Sequence, residues 1–216
     1  MDCVASSTVR GYMGPAPRPH IAPCTQIVQL PLGDPRRAHL EHFIAEVYLQ
    51  RYGARIVHFA RDLIGFEDEA GQWLAAVGYT PAVDAPLFVQ QYLDVPVEEA
   101  IAAHVGVPVT RAQVVEAGNL AAVSPGAARD TIAYLAAVLN RMQLGWVVLT
   151  CTRTLLNSFF RLGLAPIALA HANPRRLPDG GKSWGSYYRA DPIVVAADIA
   201  AGVRSLQTRQ RPYVRT

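Results

Sequence analysis

The sequence predicts a mixed α/β fold around a single sheet, and three parts of the chain support this prediction. The central part, Arg111 to Leu164, reads as strand, helix, strand and helix. Before it, two mostly apolar runs of strand length are Ile27–Leu32 and Gln72–Thr80. After it, Ala165–Ala170 and Ile193–Val195 are two further candidate strands. A strand–helix–strand unit is almost always a right-handed crossover, so the central part predicts two parallel strands.

The first half of the chain contains two predicted helices joined by extended segments. The first helix begins after Asp34-Pro35 and ends near Tyr52, where a glycine follows. Arg55–Phe59 then fits either a short strand or an extended link, and Leu87–Val89 also reads as extended. The second helix runs from Pro96 to about Gly106 and carries acidic residues in its first turn, where they complement the helix dipole.

The central part has clear signals for each of its elements. Its first strand, Gln113–Val123, is apolar except for a few polar positions. Ser124 and Pro125 suit the start of a helix, since serine can cap a free N–H and proline has none to lose. Trp146–Leu149 is short and apolar enough for a buried parallel strand. A glycine, Gly163, marks the end of the last helix.

Composition limits the classes of protein and partner that fit. With 216 residues, 51% of them hydrophobic and 17% charged, the chain suits one domain with a sizeable core. The apolar composition is compatible with a homodimer or with an apolar ligand. A net charge of only +3 gives no reason to expect a nucleic-acid partner. Lys182 is the single lysine, and the abundant arginines suit carboxylate or phosphate partners. A GC-rich genome gives the same bias and is the favoured explanation.

Cysteine usage and targeting signals point to a cytoplasmic protein. Cys3, Cys24 and Cys151 are odd in number, so they form no disulfide framework, and none has metal-ligand spacing. No secretory signal and no spanning segment of about 20 apolar residues is evident, so any membrane contact should be peripheral. We expect a flexible leader over residues 1–26, one domain over 27–206 and a flexible tail over 207–216.

Five ordered motifs resemble the thermostable haemolysin family over residues 30 to 206. They are RYGA (Arg51–Ala54), AAVGYTPA (Ala75–Ala82), LFVQQYLDVPVEEAI (Leu87–Ile101), VVEAGNLAAV (Val114–Val123) and WGSYYRADP (Trp184–Pro192). The family in turn resembles GNAT-type acyltransferases and the acyl-homoserine-lactone synthases, which use acyl-carrier-protein donors. This resemblance implies a mostly antiparallel mixed sheet with helices on both faces. It also implies two neighbouring strands that splay apart to admit a thioester donor.

The sequence departs from these relatives at four positions. The loop SPGAAR has a single glycine, Gly126, where a phosphate-binding loop usually has several. Phe159 stands where GNAT enzymes often have a tyrosine that protonates the leaving thiolate. Asn119 replaces an arginine of the synthases, and Thr80 an arginine common in the family. A missing pyrophosphate cradle favours acyl carrier protein over coenzyme A as the donor, and no metal is expected.

Glu116 and Asn119 are the candidate catalytic residues. Acyl transfer to an amine needs a group that removes a proton, and a partly buried carboxylate has a raised pKa that suits this task. The alternative is an ion pair between Glu116 and Arg111 or Arg129. Asn119 could orient substrate or hold an oxyanion, or it could make only a turn contact at the end of its strand.

The resemblance also implies donor-binding and substrate-binding residues. The donor's pantetheine arm would pair with the backbone of Leu120, Ala121, Ala122 and Val123, with Gly126 and Asn157 nearby. Candidates for the substrate pocket are Arg51, Thr150, Thr152, His171, Trp184 and Tyr187. Each has a structural alternative, such as core packing, a helix-end contact or a loop anchor. Cys151 could carry an acyl group as a nucleophile, but a buried inert thiol is the simpler interpretation.

Three functions are compatible with these features. The first is an N-acyltransferase that moves a fatty or other acyl chain from a carrier-protein or coenzyme A thioester to a small amine such as an amino acid. The second is a protein that lyses membranes directly. The third is a GNAT-like module that binds acyl thioesters without turning them over.

Overall fold

The structure is a computed structural model that describes residues 24–210. The predicted leader therefore lies outside the described residues except at its end, where the first strand already begins at Gln26. The predicted tail is described only to Gln210, and those four residues belong to the last helix. The predicted extents of the leader, the domain and the tail stay predictions.

Residues 24–210 form seven strands and five α-helices, which are joined mainly by loops and short 3₁₀ turns. In chain order they are β1 (Gln26–Leu30), α1 (Arg37–Tyr52), β2 (Asp62–Glu67), β3 (Trp73–Pro81), α2 (Val97–Val105), β4 (Val114–Ala122), α3 (Pro125–Arg141), β5 (Trp146–Cys151), α4 (Arg153–Arg161), β6 (Ile167–His171), β7 (Ile193–Asp198) and α5 (Ile199–Gln210). None of the helices in residues 24–210 combines the length and the apolar character that crossing a bilayer requires.

The strands form one sheet in the order β1-β2-β3-β4-β5-β7-β6. Every neighbouring pair is antiparallel except β4 and β5, which are joined through α3. Successive residues alternate between the faces, so Val114 packs with α2 while Val115 packs with α3 and α5. Helices α1 and α2 therefore cover one face, and α3, α4 and α5 the other. The predicted fold class, with its mostly antiparallel sheet, is confirmed.

Two local predictions were wrong. Strand β2 was not predicted, because Leu63 to Phe66 are buried on both faces and give no alternating pattern. Leu87–Val89 is not a strand, since a 3₁₀ turn begins at Phe88. The segment Arg55–Phe59 belongs to no helix or strand, which agrees with the extended link rather than with the short strand.

Strands β4 and β5 separate soon after they meet. They pair only from Val114 to Glu116, opposite Trp146 to Val148. Beyond this point β4 stays with β3 as far as Ala122, while β5 stays with β7 as far as Cys151. The sheet thus has a gap between its two central strands, on the C-terminal side of Glu116.

A β-bulge in β4 lies at the gap. Gly118 is opposite Gly78 and Ala121 is opposite Ala76, so two residues of β4 face one residue of β3. Asn119, in the bulge, has a φ of 52°, a left-handed conformation that asparagine tolerates better than most residues. A bulge bends its strand and increases the local twist, which turns the end of β4 away from β5.

The long loop between β6 and β7 is fixed to the C-terminal end of α1. Ser186 donates its backbone N–H to the carbonyl of Tyr52 at 2.7 Å, and Arg55 donates to the carbonyl of Ser183 at 2.6 Å. Gly185 lies between these bonds with a φ of 55°. A Cβ atom there would lie 2.2 Å from the Tyr52 carbonyl oxygen, so only glycine permits this approach.

We expect Gly185→Ala to weaken the attachment of this loop far more than Gly180→Ala. Both glycines have positive φ, but nothing lies within 4 Å of a Cβ at Gly180. Gly180→Ala should lower the free energy of unfolding by about 1 kcal/mol through backbone strain alone. Gly185→Ala adds a backbone clash and should cost more than about 3 kcal/mol. Urea denaturation of both variants measures the difference, and equal losses would contradict the proposed clash.

Candidate active site

Two cavities meet at the gap between β4 and β5. The larger has a volume of about 500 Å³ and the smaller about 390 Å³. Six residues line both of them: Tyr48, Ala117, Gly118, Asn119, Thr150 and Tyr187. The gap is therefore a passage that connects two separate spaces through the middle of the sheet.

The larger cavity is mostly apolar and lies against α3, α4 and α5. Its walls include Leu120 from β4, Leu135 from α3, Leu149 from β5 and Phe159 from α4. The N-terminal ends of two helices also line it. Ser124 and Pro125 do so at the start of α3, and Thr152 and Thr154 at the start of α4. An apolar space with two helix N-termini beside it suits a ligand with an apolar chain and an anionic group.

The smaller cavity combines one carboxylate with aromatic walls. Glu116 lines it from β4. The aromatic walls come from α1, the 3₁₀ turn after Leu87 and the β6–β7 loop, and they comprise Tyr48, Phe88, Tyr92, Trp184, Tyr187 and Tyr188. His58, Phe59 and Ala60 of the segment after α1 complete the rim.

Glu116 is held by backbone donors rather than by a basic side chain. Its carboxylate accepts hydrogen bonds from the N–H groups of Phe88 at 2.5 Å and Val89 at 3.1 Å. The predicted alternative partner Arg111 binds Glu98 instead, at 3.3 Å. Within residues 24–210, no ion pair to Glu116 is found, so the ion-pair alternative is not supported.

Burial gives this carboxyl group an unusual proton affinity. Desolvation raises the pKa of Glu116 to about 7, and the two backbone hydrogen bonds oppose part of that rise. A carboxyl group with such a pKa exchanges its proton near neutral pH, which is the property a general base needs.

Asn119 holds the rim of the smaller cavity in place. Its side-chain oxygen accepts a hydrogen bond from the N–H of Ala60 at 2.8 Å, and its amide group donates to the carbonyl of His58 at 3.1 Å. These bonds tie the segment after α1 to the bulge of β4. These bonds join residues about 60 positions apart, so they are not the strand-end turn contact that was the alternative. A direct contact of Asn119 with substrate stays a prediction.

The donor-binding predictions divide into two groups. Leu120, Ala122 and Val123 line the larger cavity, although the Val123 N–H is already bonded to Leu74. Ala121 is buried in the cluster under α1, so its side chain lies on the other side of the sheet. The gap still leaves the backbone of β4 beyond Glu116 without a β5 partner, which is the arrangement that backbone pairing to a donor requires.

Two predicted donor-binding residues lie outside the cavities. Gly126 does not line either one, whereas its neighbours Pro125 and Ala128 do. Asn157 is exposed on α4 and does not reach the cavity that Leu155 and Ser158 line. Residues two positions apart in a helix point in nearly opposite directions, so Leu155 and Asn157 cannot share a face.

Most of the predicted substrate-pocket residues do come together. Thr150, Trp184 and Tyr187 line the smaller cavity, while Arg51 and Thr152 line the larger one. Thr152 also caps α4 by accepting a hydrogen bond from the N–H of Leu155 at 3.4 Å.

His171 and Cys151 are not part of this arrangement. His171 is exposed at the end of β6, 3.6 Å from the carboxylate of Asp191, and it lines neither cavity, so its role at the site stays a prediction. Cys151 is fully buried beneath α4, and burial raises the pKa of its thiol to about 12. A thiol with so high a pKa is a poor nucleophile, which agrees with the inert interpretation.

Sequence reasoning missed Tyr48 and Gly118, which line both cavities, and left Tyr92 without a role at the smaller one. A glycine inside an apolar strand is a signal for a bulge or a close approach, and Gly118 could have been found that way. Tyr48 reads only as part of an apolar helix face, so nothing local marks it. Among the described residues, no group of three or more His, Cys, Asp or Glu side chains could hold a metal ion.

Several solved structures share this fold at low sequence identity. The N-acyl amino acid synthase FeeM from uncultured soil microbes is 14% identical, with a TM-score of 0.54 over 86% of this chain and 97% of FeeM. The CoA-dependent acyl-homoserine lactone synthase BjaI with SAM and isopentyl-CoA is also 14% identical, with a TM-score of 0.54 over 85% of this chain and 88% of BjaI.

A third similar structure is the putative arylalkylamine N-acetyltransferase 7 of the yellow fever mosquito Aedes aegypti. It is 8% identical, with a TM-score of 0.50 over 80% of this chain and 87% of that one. These likenesses show a GNAT-like fold. A search of curated protein sequences gave no match. The family model for thermostable hemolysin matches residues 31–203, so the chain belongs to the thermostable haemolysin family.

Proposed function

We propose that this protein is an N-acyltransferase that moves an acyl chain from a thioester to the amine of a small molecule. The observation that supports this most directly is the gap between β4 and β5, which joins an apolar cavity to a cavity that contains Glu116. A thioester in the first space and an amine in the second would meet at Gly118 and Thr150. Holding two reactants at such a junction removes much of the entropic barrier to their reaction.

The proposed donor carries its acyl chain in the larger cavity. The apolar walls suit a fatty chain, and the starts of α3 and α4 suit the phosphate of a pantetheine arm. Arg129 and Arg153 are exposed on these two helices, where they suit an acidic carrier protein. We therefore favour acyl carrier protein over coenzyme A, while BjaI, a structural neighbour, is described with isopentyl-CoA.

The proposed reaction forms a C–N bond and breaks the C–S bond of the thioester. The acceptor enters as an ammonium ion and must lose two protons to become an amide. One proton passes to the Glu116 carboxylate and then to solvent, and the other ends on the leaving thiolate. The acceptor nitrogen supplies the electron pair of the new bond, and sulfur keeps the pair of the broken one.

The leaving thiolate needs a proton donor other than Phe159, which lines the larger cavity without a hydroxyl group. Tyr48 and Tyr187 line both cavities at the junction. Burial raises the pKa of both phenols, so they stay protonated at neutral pH. In this proposal one of them gives its proton to the leaving thiolate and takes up the second proton of the acceptor nitrogen in its place.

We expect Glu116→Gln to lower kcat by about 10²- to 10⁴-fold, because glutamine cannot accept the acceptor's proton. The test follows thiol release from acyl-carrier-protein and coenzyme A thioesters with a panel of amines. In the wild-type protein, kcat/KM should rise with pH through an apparent pKa near 7, since the carboxylate is the active form. This rise of kcat/KM with pH should be absent in Glu116→Gln.

Glu98→Gln is the matched control, because Glu98 is a carboxylate that pairs with Arg111 and lines neither cavity. It should keep wild-type kcat. Equal activity in Glu116→Gln and wild type would remove the proposed base. Leakage of liposomes by the pure protein without any acyl donor, together with no thiol release, would instead favour a directly membrane-active protein.

We expect Gly118→Leu to block transfer while the fold is kept. A Cβ at Gly118 meets nothing within 4 Å, and φ there is not positive, so the backbone accepts a side chain. A leucine would project into the junction and separate donor from acceptor, which should lower kcat/KM by at least about 10²-fold. Ala103→Leu adds bulk on the exposed side of α2 and should leave activity unchanged. Full activity in Gly118→Leu would show that the reactants do not meet there.

A further inference from the structure

We infer that the acceptor is a primary amine on an aromatic or apolar body that lacks a carboxylate. This inference rests on the proposed function and narrows the acceptor from small amines in general, including amino acids, to one chemical class. The smaller cavity supports this inference through its aromatic walls and through the charge of its lining residues.

The aromatic walls of the smaller cavity pack on one another. The Trp184 ring centroid lies 5.6 Å from that of Phe88, 5.2 Å from that of Tyr187 and 6.2 Å from that of Tyr188. The hydroxyl groups of Tyr92 and Tyr188 are hydrogen-bonded at 2.5 Å. Interlocked rings of this kind are fixed before any ligand arrives, and they offer faces and edges to an aromatic or apolar body.

The charge of the cavity complements an ammonium group. Within residues 24–210, Glu116 is the one carboxylate that lines it, and tyrosine and tryptophan faces also attract cations. An ammonium group at Glu116 would lie where the proposed base must receive its proton. A second carboxylate in the same enclosed space would instead be repelled by Glu116 and would lose its hydration.

Two arginines near this cavity, Arg61 and Arg176, pair with acidic side chains, whereas Arg51 lines only the larger cavity. Arg61 follows the rim residue Ala60, and its guanidinium group lies 3.8 Å from both Asp62 and Asp84. Arg176 binds Asp94 at 2.6 Å and the carbonyl of Gln91 at 2.7 Å. No arginine or lysine of residues 24–210 lines the cavity, and His58 lies on its exposed rim.

Thr80, which lies beside the proposed base Glu116, also supports an acceptor without a carboxylate. It lines the cavity and is the cross-strand partner of Glu116 in the β3–β4 ladder. Its hydroxyl group accepts a hydrogen bond from the N–H of Arg61 at 3.0 Å. The position nearest to Glu116 across the ladder is thus neutral, and it offers no charge to a carboxylate.

The test compares amines that differ only in the carboxylate, using the full chain and one thioester donor. Tyramine is paired with tyrosine, phenethylamine with phenylalanine, and tyrosine methyl ester serves as the control that keeps the bulk but removes the charge. At pH 8.5, where a histidine is ordinarily neutral, we expect kcat/KM for each amine to exceed that of its amino acid by about 100-fold or more. The ester should behave like the amine.

Binding is measured in parallel so that the two proposals can be separated. Quenching of Trp184 fluorescence in a variant whose other two tryptophans are replaced by phenylalanine reports binding without turnover. Tighter binding of tyramine than of tyrosine supports the inference even if no amine is acylated, in which case only the proposed function fails. Equal binding or equal turnover of tyrosine and tyramine would overturn the inference.

A charge added to the rim gives a second test. Gln91 lines the cavity, so Gln91→Arg places a cation beside the acceptor and should raise the tyrosine-to-tyramine ratio of kcat/KM at least about tenfold. Gln72→Arg adds the same charge in the exposed β2–β3 turn and should leave the ratio unchanged. An unchanged ratio in Gln91→Arg would contradict a charge-based exclusion of the carboxylate.

Discussion

The separation of β4 from β5 is the constraint on which the rest of the site depends. A central pair of strands normally continues its ladder, because each unpaired backbone group loses a hydrogen bond. Here the ladder stops after Glu116, and the bulge at Asn119 bends β4 away. The unpaired edge that results lies in the interior of the domain instead of at its rim. Both cavities open onto this edge, and they meet there through six shared residues.

Two polar side chains of β4, Asn119 in the bulge and Glu116 just before it, bond the loops that form the smaller cavity. Asn119 bonds Ala60 and His58, and thereby holds the segment after α1 against the sheet. Glu116, three residues earlier, orders the turn at Phe88 and Val89 through their N–H groups. Two polar side chains of one strand thus organise two separate loops. This explains why an otherwise apolar strand carries them.

Much of the fold could be predicted from the sequence, because its signals are local. The Ser124-Pro125 cap, the apolar face of α3 and the run of β5 each follow from a few neighbouring residues, and the ordered motifs supplied the family. Strand β2 was missed because a strand buried on both faces shows no alternation. The 3₁₀ turn at Phe88 was missed because Glu116, 28 residues away, determines it.

The site was predictable only in part for the same reason. Glu116 was found because a charge in an apolar strand is unusual, and Trp184 and Tyr187 because they cluster in one loop. Tyr48 could be recognised as a cavity residue only from the position of α1 over the gap. His171 was predicted as a substrate-pocket residue only because it follows a strand near the site in chain order. Which face a residue such as Asn157 presents depends on the exact phase of its helix, and a single sequence determines that phase poorly.

The attachment of the β6–β7 loop to α1 has a consequence for how this protein can diverge. Trp184, Tyr187 and Tyr188 belong to that loop, whereas the carboxylate and the strand gap belong to the sheet. The groups that would choose the amine are therefore encoded separately from those that would perform the transfer. Substitutions in the β6–β7 loop could therefore change which small molecule is acylated without changing the carboxylate or the strand gap. Gly185 must be retained, because it lets the loop pack against the end of α1.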